Sequence, residues 1–377
     1  MTEETLTRVA PSATDEKLNG THPSTGLIER PVEPDPLAKR FLNIRTLLSF
    51  AIGLAILAFV LSRVEVNVAE IQARLVQTSL PLFLAAIALY YLTFLVRALR
   101  WQQLLANVGY ANDEADENGD GFRIVDGRSI RLPSVLGLAE IVLLSWFANC
   151  IVPAKLGDAY RAYLLKSTAG VSFSRTFGTI LAERIIDMLL LFSLLVASVL
   201  YAFSGALPPE ILTIMQAGLV LVALVIVGLM AMRNLGGFLR RFVPKRFQPH
   251  YTAFEQGTLG SFRAMPLVLT YSVVGWTIEA GRLYLVCLSL GLTGLSPAIV
   301  LFVALASALL TTLPITPAGL GFVESAIVGI LLLAASWGLA PGVDQNAAAS
   351  VAILDRVISY WSLIVTGIVL YLITRKR

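Results

Sequence analysis

The chain has few of the residues on which metal centres, disulfide frameworks and histidine-based catalysis depend. Its 377 residues include two cysteines and two histidines. Cys150 and Cys287 both lie inside apolar runs, which argues against a disulfide framework or a zinc site. His22 and His250 lie far apart in polar stretches. The sequence therefore predicts no metal site, no cofactor and no histidine dyad.

Charge is also scarce, and this scarcity sets the class of protein. Only 14% of residues are charged and 56% are hydrophobic, whereas soluble domains are roughly a quarter charged. Several apolar runs reach the ~20 residues that cross ~30 Å of hydrocarbon. We therefore expect an all-α polytopic membrane protein, integral to the cell (cytoplasmic) membrane. The net charge of +4 is spread over loops, so it indicates membrane topology and no nucleic acid partner.

The sequence contains no G-x-x-x-x-G-K-[ST] motif, which is the phosphate-binding loop of many nucleotide-driven proteins. It also shows no soluble catalytic domain and no Asp-x-Asp pair in a cytoplasmic loop. We therefore expect a protein that is not an enzyme.

Charge distribution predicts the arrangement of the chain in the membrane. Basic loops stay in the cytoplasm, which places both termini there. We divide the chain into a disordered cytoplasmic tail, 1–43, and two membrane units, A (44–204) and B (205–377). Unit A contains a cytoplasmic loop, 107–133, and unit B a basic cytoplasmic loop, 233–265. The apolar runs lie near 46–62, 80–100, 134–152, 177–203, 211–232, 266–290, 296–313, 320–338 and 349–373.

Two segments must leave one side of the membrane and return to it. Residues 134–174 start and end inside, and residues 296–338 start and end outside, if the neighbouring loops are placed by charge. Each segment is therefore a helical hairpin, re-entrant or fully spanning. The return arm 158–166 would be only ~14 Å long, which favours a re-entrant first hairpin.

The two hairpins share a motif at their tips. Pro153 to Gly157 and Pro317 to Gly321 both read P-A-x-L-G, 164 positions apart. An acid–arginine pair follows in each half, Glu183-Arg184 and then Asp355-Arg356, 172 positions apart. The chain therefore reads as two inverted repeats, each with two spans, a hairpin and one span. Proline breaks a helix and glycine turns the backbone, so we expect both tips to face a cavity between the units.

Charged residues inside apolar segments are expensive and mark functional sites. The alternative is that they form buried ion pairs which hold helices in register. Arg97, Arg100 and Trp101 lie at a span end, where they would anchor the helix at the headgroups. Glu279, Arg282 and Tyr360 are secondary candidates. The primary substrate-binding candidates are Lys155, Asp158, Arg161, Glu183, Arg184, Asp187, Glu324, Asp355 and Arg356.

The order of these motifs resembles the transmembrane region of lysylphosphatidylglycerol synthases and its stand-alone relatives, over about residues 44–375. In the bifunctional members this region is similar to a flippase for aminoacylated phosphatidylglycerol, so the resemblance implies a flippase-like half without the synthase domain. Two features depart from the family. Lys155-Leu-Gly-Asp158 stands where R-x-G-E is common, and the 107–133 loop is longer than usual. The matching stretches are RALRWQQLL (97–105), FANCIVPAKLGDAYRAYLL (147–165), AERIIDMLLL (182–191), PITPAGLGFVESAIVGILL (314–332) and LDRVISYWSLIVTGIVLYL (354–372).

The 107–133 loop contains DENGDG at 116–121, which partly fits a calcium loop. Gly127 stands where the bidentate acid is required, so we favour a solvated acidic loop. The following FRIV-DG-RSIR predicts a β-hairpin with a turn at Asp126-Gly127.

Three functions remain open. The first is a flippase that moves a phospholipid or lipid-linked headgroup through a charged cavity between the repeats. The second is an integral-membrane enzyme on lipid-linked sugars, with paired carboxylates as acid and base. The third is an accessory partner that holds a synthase or glycosyltransferase at the membrane. The sequence leaves the lipid, the direction, the energy source and the oligomeric state open.

Overall fold

The structure, a computed structural model, describes residues 67–110, 123–125, 128–152, 155–202, 209–311 and 316–374, with the single positions 48, 51 and 55. Several predicted features lie outside these residues. They are the 1–43 tail, most of the first span near 46–62, the DENGDG segment, Pro153 and the C-terminal Arg375-Lys376-Arg377.

The described chain is helical apart from one short hairpin of strands. A 3-10 turn, Pro317–Gly319, precedes the helix Phe322–Ser336, and a π-helical turn, Val357–Ser362, joins the helices Gln345–Arg356 and Leu363–Thr374. The elements are α1 Val68–Val76, α2 Leu80–Asn107, β1 Arg123–Val125, β2 Arg128–Ile130, α3 Val135–Ile151, α4 Leu156–Ala169, α5 Phe173–Ala202, α6 Pro209–Phe242, α7 Gln248–Gly260, α8 Met265–Ser289, α9 Pro297–Thr311, α10 Phe322–Ser336, α11 Gln345–Arg356 and α12 Leu363–Thr374.

Several of these helices begin at residues that cap a helix N-terminus. The Asp344 side chain accepts a hydrogen bond from the Ala347 N–H at the start of α11. Ser134 does the same for Gly137 in α3. Asx and serine side chains satisfy N–H groups that the first turn leaves unpaired, so local sequence fixes where these helices start.

Four helices of the described residues are long and apolar enough to cross a membrane. This confirms an all-α membrane protein. The four are Leu80–Asn107, Met215–Phe242, Pro317–Ser336 and Gln345–Thr374.

Segments that the sequence places on the same side of the membrane meet in the structure. On the predicted outer side, α1 contacts the start of α11 through Arg74 and Asp344, 2.7 Å apart. On the predicted inner side, Thr374 donates a hydrogen bond to Glu140. The contacts agree with the predicted sorting of loops into two groups; which group faces the cytoplasm stays a prediction.

The second helices of the two units, α2 and α8, pack against each other in opposite directions. The Ser79 N–H donates to the Ser289 carbonyl at 2.8 Å, so the start of α2 meets the end of α8. At the other end, the Asn107 amide donates to the Ser261 carbonyl at 3.0 Å. Inverted repeats require corresponding helices to run in opposite directions, and this pair does so. The complete inverted relation of the two units stays a prediction.

The last helices of the two halves also correspond. α5 covers 30 residues, Phe173–Ala202, and the continuous helix Gln345–Thr374 also covers 30. Both ends are separated by 172 positions, as are the acid–arginine pairs. Helix ends vary by one or two residues between assignments, so the agreement rests on the pairs as much as on the ends. Each pair therefore occupies the same place in its helix.

Two local expectations change. The return arm of the first hairpin is α4, 14 residues long and ~21 Å at 1.5 Å per residue, so the ~14 Å arm was too short. Whether the hairpin is re-entrant stays a prediction.

The 233–265 segment is largely helical, because α6 continues to Phe242 and α7 follows. The predicted strand pair is confirmed: β1 and β2 are antiparallel.

Helix α7 packs closely on α5 through glycines. A Cβ atom at Gly257 would overlap the Arg175 carbonyl, and one at Gly178 would overlap the Phe254 carbonyl. Helix backbones approach this closely only where a side chain is absent. The two glycines therefore fix the basic segment against the start of α5.

We expect Gly257→Ala to destabilise the protein, because overpacking a close contact costs about 1–3 kcal/mol. Gly228→Ala is the matched control, since a Cβ there has nothing within 4 Å and alanine favours a helix. Thermal unfolding in detergent should show a lower midpoint for Gly257→Ala and an unchanged or higher one for Gly228→Ala. Equal midpoints would contradict the close α5–α7 contact.

Candidate functional site

A cavity of about 300 Å³ lies between the two halves of the chain. Both hairpin tips reach it, the first through Lys155 and the second through Thr316 and Ala318. Side chains from α2, α3, α4, α5, α8, α9, α10, α11 and the π-helical turn after α11 complete its wall. Both tips therefore reach one cavity, as expected, although of the described P-A-x-L-G residues it is Lys155 and Ala318 that line it.

Charged side chains of both signs line this cavity. Among the described residues, five are cationic and four are anionic. They are Arg97, Lys155, Arg184, Arg282 and Arg356, with Asp158, Asp187, Glu279 and Asp355.

In the first half, the acid–arginine pair joins two other elements to α5. Glu183 lies 2.9 Å from Arg100 on α2. Arg184 binds Asp158, just after the first tip, through both Nε and Nη2 at 3.0 and 2.8 Å. Asp187, one turn further along α5, also binds Arg100, at 2.5 Å. The pair thus links the second helix of its unit to the hairpin.

The second half repeats this arrangement. Asp355 lies 2.6 Å from Arg282 on α8. Arg356 lies 2.8 Å from Glu324, just after the second tip, and donates to the Gly319 carbonyl of the tip itself. In each half the acid binds an arginine of the second helix, and the arginine binds an acid that follows the tip. The sequence motif therefore marks a repeated circuit of ion pairs.

The tips share an unusual backbone conformation. Lys155 has φ +52°, and Gly319, the third residue of the other P-A-x-L-G motif, has φ +69°. Gly321 also has positive φ, +84°, as the expected turning role requires. Gly157 does not, so its expected role in the turn is wrong. A Cβ there would overlap the Ser145 carbonyl, which makes Gly157 a point of close packing between α3 and α4.

Side chains already satisfy the backbone N–H groups behind the tips. The Gly157 N–H donates to Asn149, and the Gly321 N–H donates to Glu324, both at 2.8 Å. Buried backbone donors need partners, and here the neighbouring side chains supply them. These two N–H groups are therefore not free to bind a phosphate.

The structure divides the predicted site residues into two groups. Arg161, Glu183 and Glu324 lie behind the wall, and Arg161 stacks over the Trp101 ring at 3.9 Å. Tyr360 is also behind it, where it donates to the Cys150 carbonyl. Pro317 and Gly321 shape the second tip without lining the cavity. The predicted residues that do line it are Lys155, Asp158, Arg184, Asp187, Glu279, Arg282, Asp355 and Arg356.

Sequence reasoning missed one side of the cavity. Arg97, Arg100 and Trp101 were expected at the headgroups, but Trp101 is fully buried and Arg97 lines the cavity. The reason is that α2 continues to Asn107, so these residues lie within the helix. The aromatic wall, Tyr90, Trp146 and Trp276, carries no local signal that separates it from lipid-facing aromatics.

The charges of the wall constrain its chemistry. Each of its four carboxylates binds an arginine: Arg184, Arg100 or Arg282. Within the described residues, no three His, Cys, Asp or Glu side chains form a group that could hold a metal ion. The wall therefore offers arginine-bound carboxylates and an aromatic surface, an arrangement suited to binding a polar headgroup.

Comparison with known proteins agrees with this architecture. The chain is 36% identical over 232 residues to a UPF0104 membrane protein of Methanocaldococcus jannaschii. The aligned region covers 61% of this chain and 95% of that protein. A UPF0104 membrane protein of Pyrococcus horikoshii is 25% identical over 80% of this chain and 90% of its own. The glycosyltransferase AglD of Haloferax volcanii is 24% identical over 84% of this chain and 52% of its own.

A family match covers most of the described helices and the whole cavity wall. Residues 46–367 match the family described as the lysylphosphatidylglycerol synthase TM region. This chain therefore belongs to the lysylphosphatidylglycerol synthase TM-region family, the one that its motif order resembles.

Proposed function

We propose that this protein moves a phospholipid or lipid-linked headgroup between the leaflets of the cell membrane. The observation that carries the proposal is the cavity between the two halves, which both tips reach and which two equivalent ion-pair circuits line. Charged residues in apolar segments are retained where they serve transport. Gly/Pro-interrupted segments in corresponding places of two repeats are typical of transport sites.

The ion pairs supply a means of accepting the headgroup. Arg184 holds Asp158 with two parallel hydrogen bonds, a geometry that a phosphate can also adopt. A headgroup phosphate would replace the carboxylate on Arg184 or Arg356, while a headgroup amine would bind the released acid. The charges would stay paired at every stage, which avoids the cost of an isolated buried ion.

A transporter of this kind needs no catalytic step, and its termini would lie on the cytoplasmic side of the membrane. Because each carboxylate of the wall that the structure describes is bound by arginine, we assign none of them the role of acid or base in hydrolysis. Because the sequence has no phosphate-binding loop, movement would run downhill, on an ion gradient or with a partner. Both termini would be cytoplasmic, on the side of the basic 233–265 segment.

A second candidate is an accessory that holds a synthase or glycosyltransferase at the membrane. The likeness to AglD favours it, because that relative is named a glycosyltransferase and the match covers about half its length. In this case the ion pairs would be structural. Substitutions in the cavity would then lower stability without changing the distribution of lipids.

Reconstitution into liposomes tests the transport proposal. Fluorescent phosphatidylglycerol should exchange between leaflets when the protein is present. Arg184→Ala and Arg356→Ala should each slow exchange about ten-fold or more, because an arginine hydrogen bond to phosphate is worth about 1.5–3 kcal/mol. Exchange is measured from the fraction of lipid that dithionite bleaches.

Arg240→Ala is the matched control. Arg240 forms an ion pair of similar length with Glu255, 2.9 Å, on the α6–α7 segment and away from the cavity. Its exchange rate should equal that of the parent. The absence of exchange by the parent with anionic and aminoacylated lipids alike would rule out the flippase. Equal slowing by all three variants would show a loss of folding.

A further inference from the structure

Arg97 is a buried cation without an anionic partner. Its side chain is 7% exposed, on the cavity-facing side of α2. Its guanidinium lies over the Trp146 ring at 4.4 Å and near the Trp276 ring at 5.7 Å. No described residue forms an ion pair or hydrogen bond with it. The other arginines of the cavity region, by contrast, each bind a carboxylate: Arg100, Arg161, Arg184, Arg282 and Arg356.

The donors of Arg97 open onto the cavity. A guanidinium carries five N–H donors in its plane, and aromatic rings over its face leave those donors free. Arg161 has two fully buried nitrogens, Nε and Nη2, that make no hydrogen bond, but Arg97 has no such nitrogen within the described structure. Because its nitrogens also make no hydrogen bond, they are accessible, and Arg97 lines both the cavity and a small pocket beside Ser272 and Gly275.

Two carboxylates that interact electrostatically with Arg97 already form ion pairs with other arginines. Asp187 and Glu279 both act on Arg97 through space. However, Asp187 binds Arg100 and accepts from the Trp276 indole N–H at 3.2 Å. Glu279 binds Arg282 at 2.8 Å. Each of the other arginines of the wall thus has a carboxylate partner, whereas Arg97 has none among the described residues.

Lys155 is a second cation of the same kind. It lies on the first tip, lines the same cavity and has no carboxylate within ion-pair distance among the described residues. Its left-handed backbone, φ +52°, is strained for a residue with a side chain. Strained residues cluster at binding sites. The cavity therefore contains two cations that no described carboxylate pairs with.

We propose that Arg97 and Lys155 form a binding seat for a phosphate group, with Trp146 and Trp276 as its side walls. The planar guanidinium suits two phosphate oxygens, and the lysine adds a point charge. The occupant, a phosphodiester headgroup of a lipid, rests on the proposed function. A free phosphate ester has the same chemistry. The seat is separate from the arginine–acid circuits, in which each arginine already has a carboxylate partner.

Binding to the purified protein tests the seat without requiring transport. Inorganic phosphate and glycerol 3-phosphate are titrated in detergent, with glycerol as the uncharged comparison. Phosphatidylglycerol is compared with phosphatidylcholine in nanodiscs. Trp146 and Trp276 report the seat through tryptophan fluorescence. Trp361→Phe removes an indole that is 59% exposed and should leave the response unchanged.

We expect Arg97→Gln and Lys155→Gln each to raise the Kd about ten-fold or more for whichever phosphate compound binds the parent. Arg233→Gln, an exposed position on α6, should bind as the parent does. A response to phosphatidylglycerol alone assigns the seat to the lipid, and a response to glycerol 3-phosphate assigns it to a free ester. If Arg97→Gln aggregates, Arg97→Lys and Lys155→Gln test the seat instead. Each of these variants should have a higher Kd than the parent.

The seat and the transport proposal fail in different ways. Unchanged Kd values in folded Arg97 and Lys155 variants, or no response of the parent to any phosphate compound, would overturn the seat. Weakened binding in these variants, with no lipid exchange by the parent, would keep the seat and remove transport. Lipid exchange by the parent, with unchanged phosphate binding in the variants, would keep transport and remove the seat.

Discussion

The fold depends on ion pairs that neutralise most of the charged side chains it buries. Breaking a buried ion pair costs about 3–5 kcal/mol, because the remaining charge keeps its desolvation penalty. Here Glu183 and Asp355 are 2% and 3% exposed, and each is bound by an arginine from the second helix of its own unit. These pairs fix the last helix of each unit against α2 or α8. Because α2 packs on α8, the two circuits face one another across the cavity.

The same constraint connects structure to function. A charge network that is complete at rest can accept a charged ligand only by exchanging partners. Arg184 is the more open of the two circuit arginines, 26% exposed against 9% for Arg356. The first circuit is therefore the easier one to open. Arg97 and Lys155 differ from both, because they need no partner exchange before a ligand binds.

Residues visible as motifs were predictable, and residues defined by helix crossings were not. Apolar runs gave the helices from Leu80 onward, four of which are long and apolar enough to cross a membrane, and the P-A-x-L-G tips and acid–arginine pairs gave the cavity. The partner of Glu183, Arg100, lies 83 positions earlier in the chain. Its role depends on how α2 crosses α5, which no local pattern encodes. Arg97 was misplaced for a related reason, since the apolar run ends about seven residues before the helix does.

Solvent access to Ser359 tests whether the charged cavity between the two halves is open to water. Ser359 lines the cavity and Leu224 lies exposed on α6. Single cysteines at these positions, with Cys150 and Cys287 replaced by alanine, can be challenged in membranes with a thiol reagent that does not cross lipid. We expect labelling at position 359 and none at position 224. Protection at 359 with labelling at 224 would contradict a water-filled cavity between the two halves.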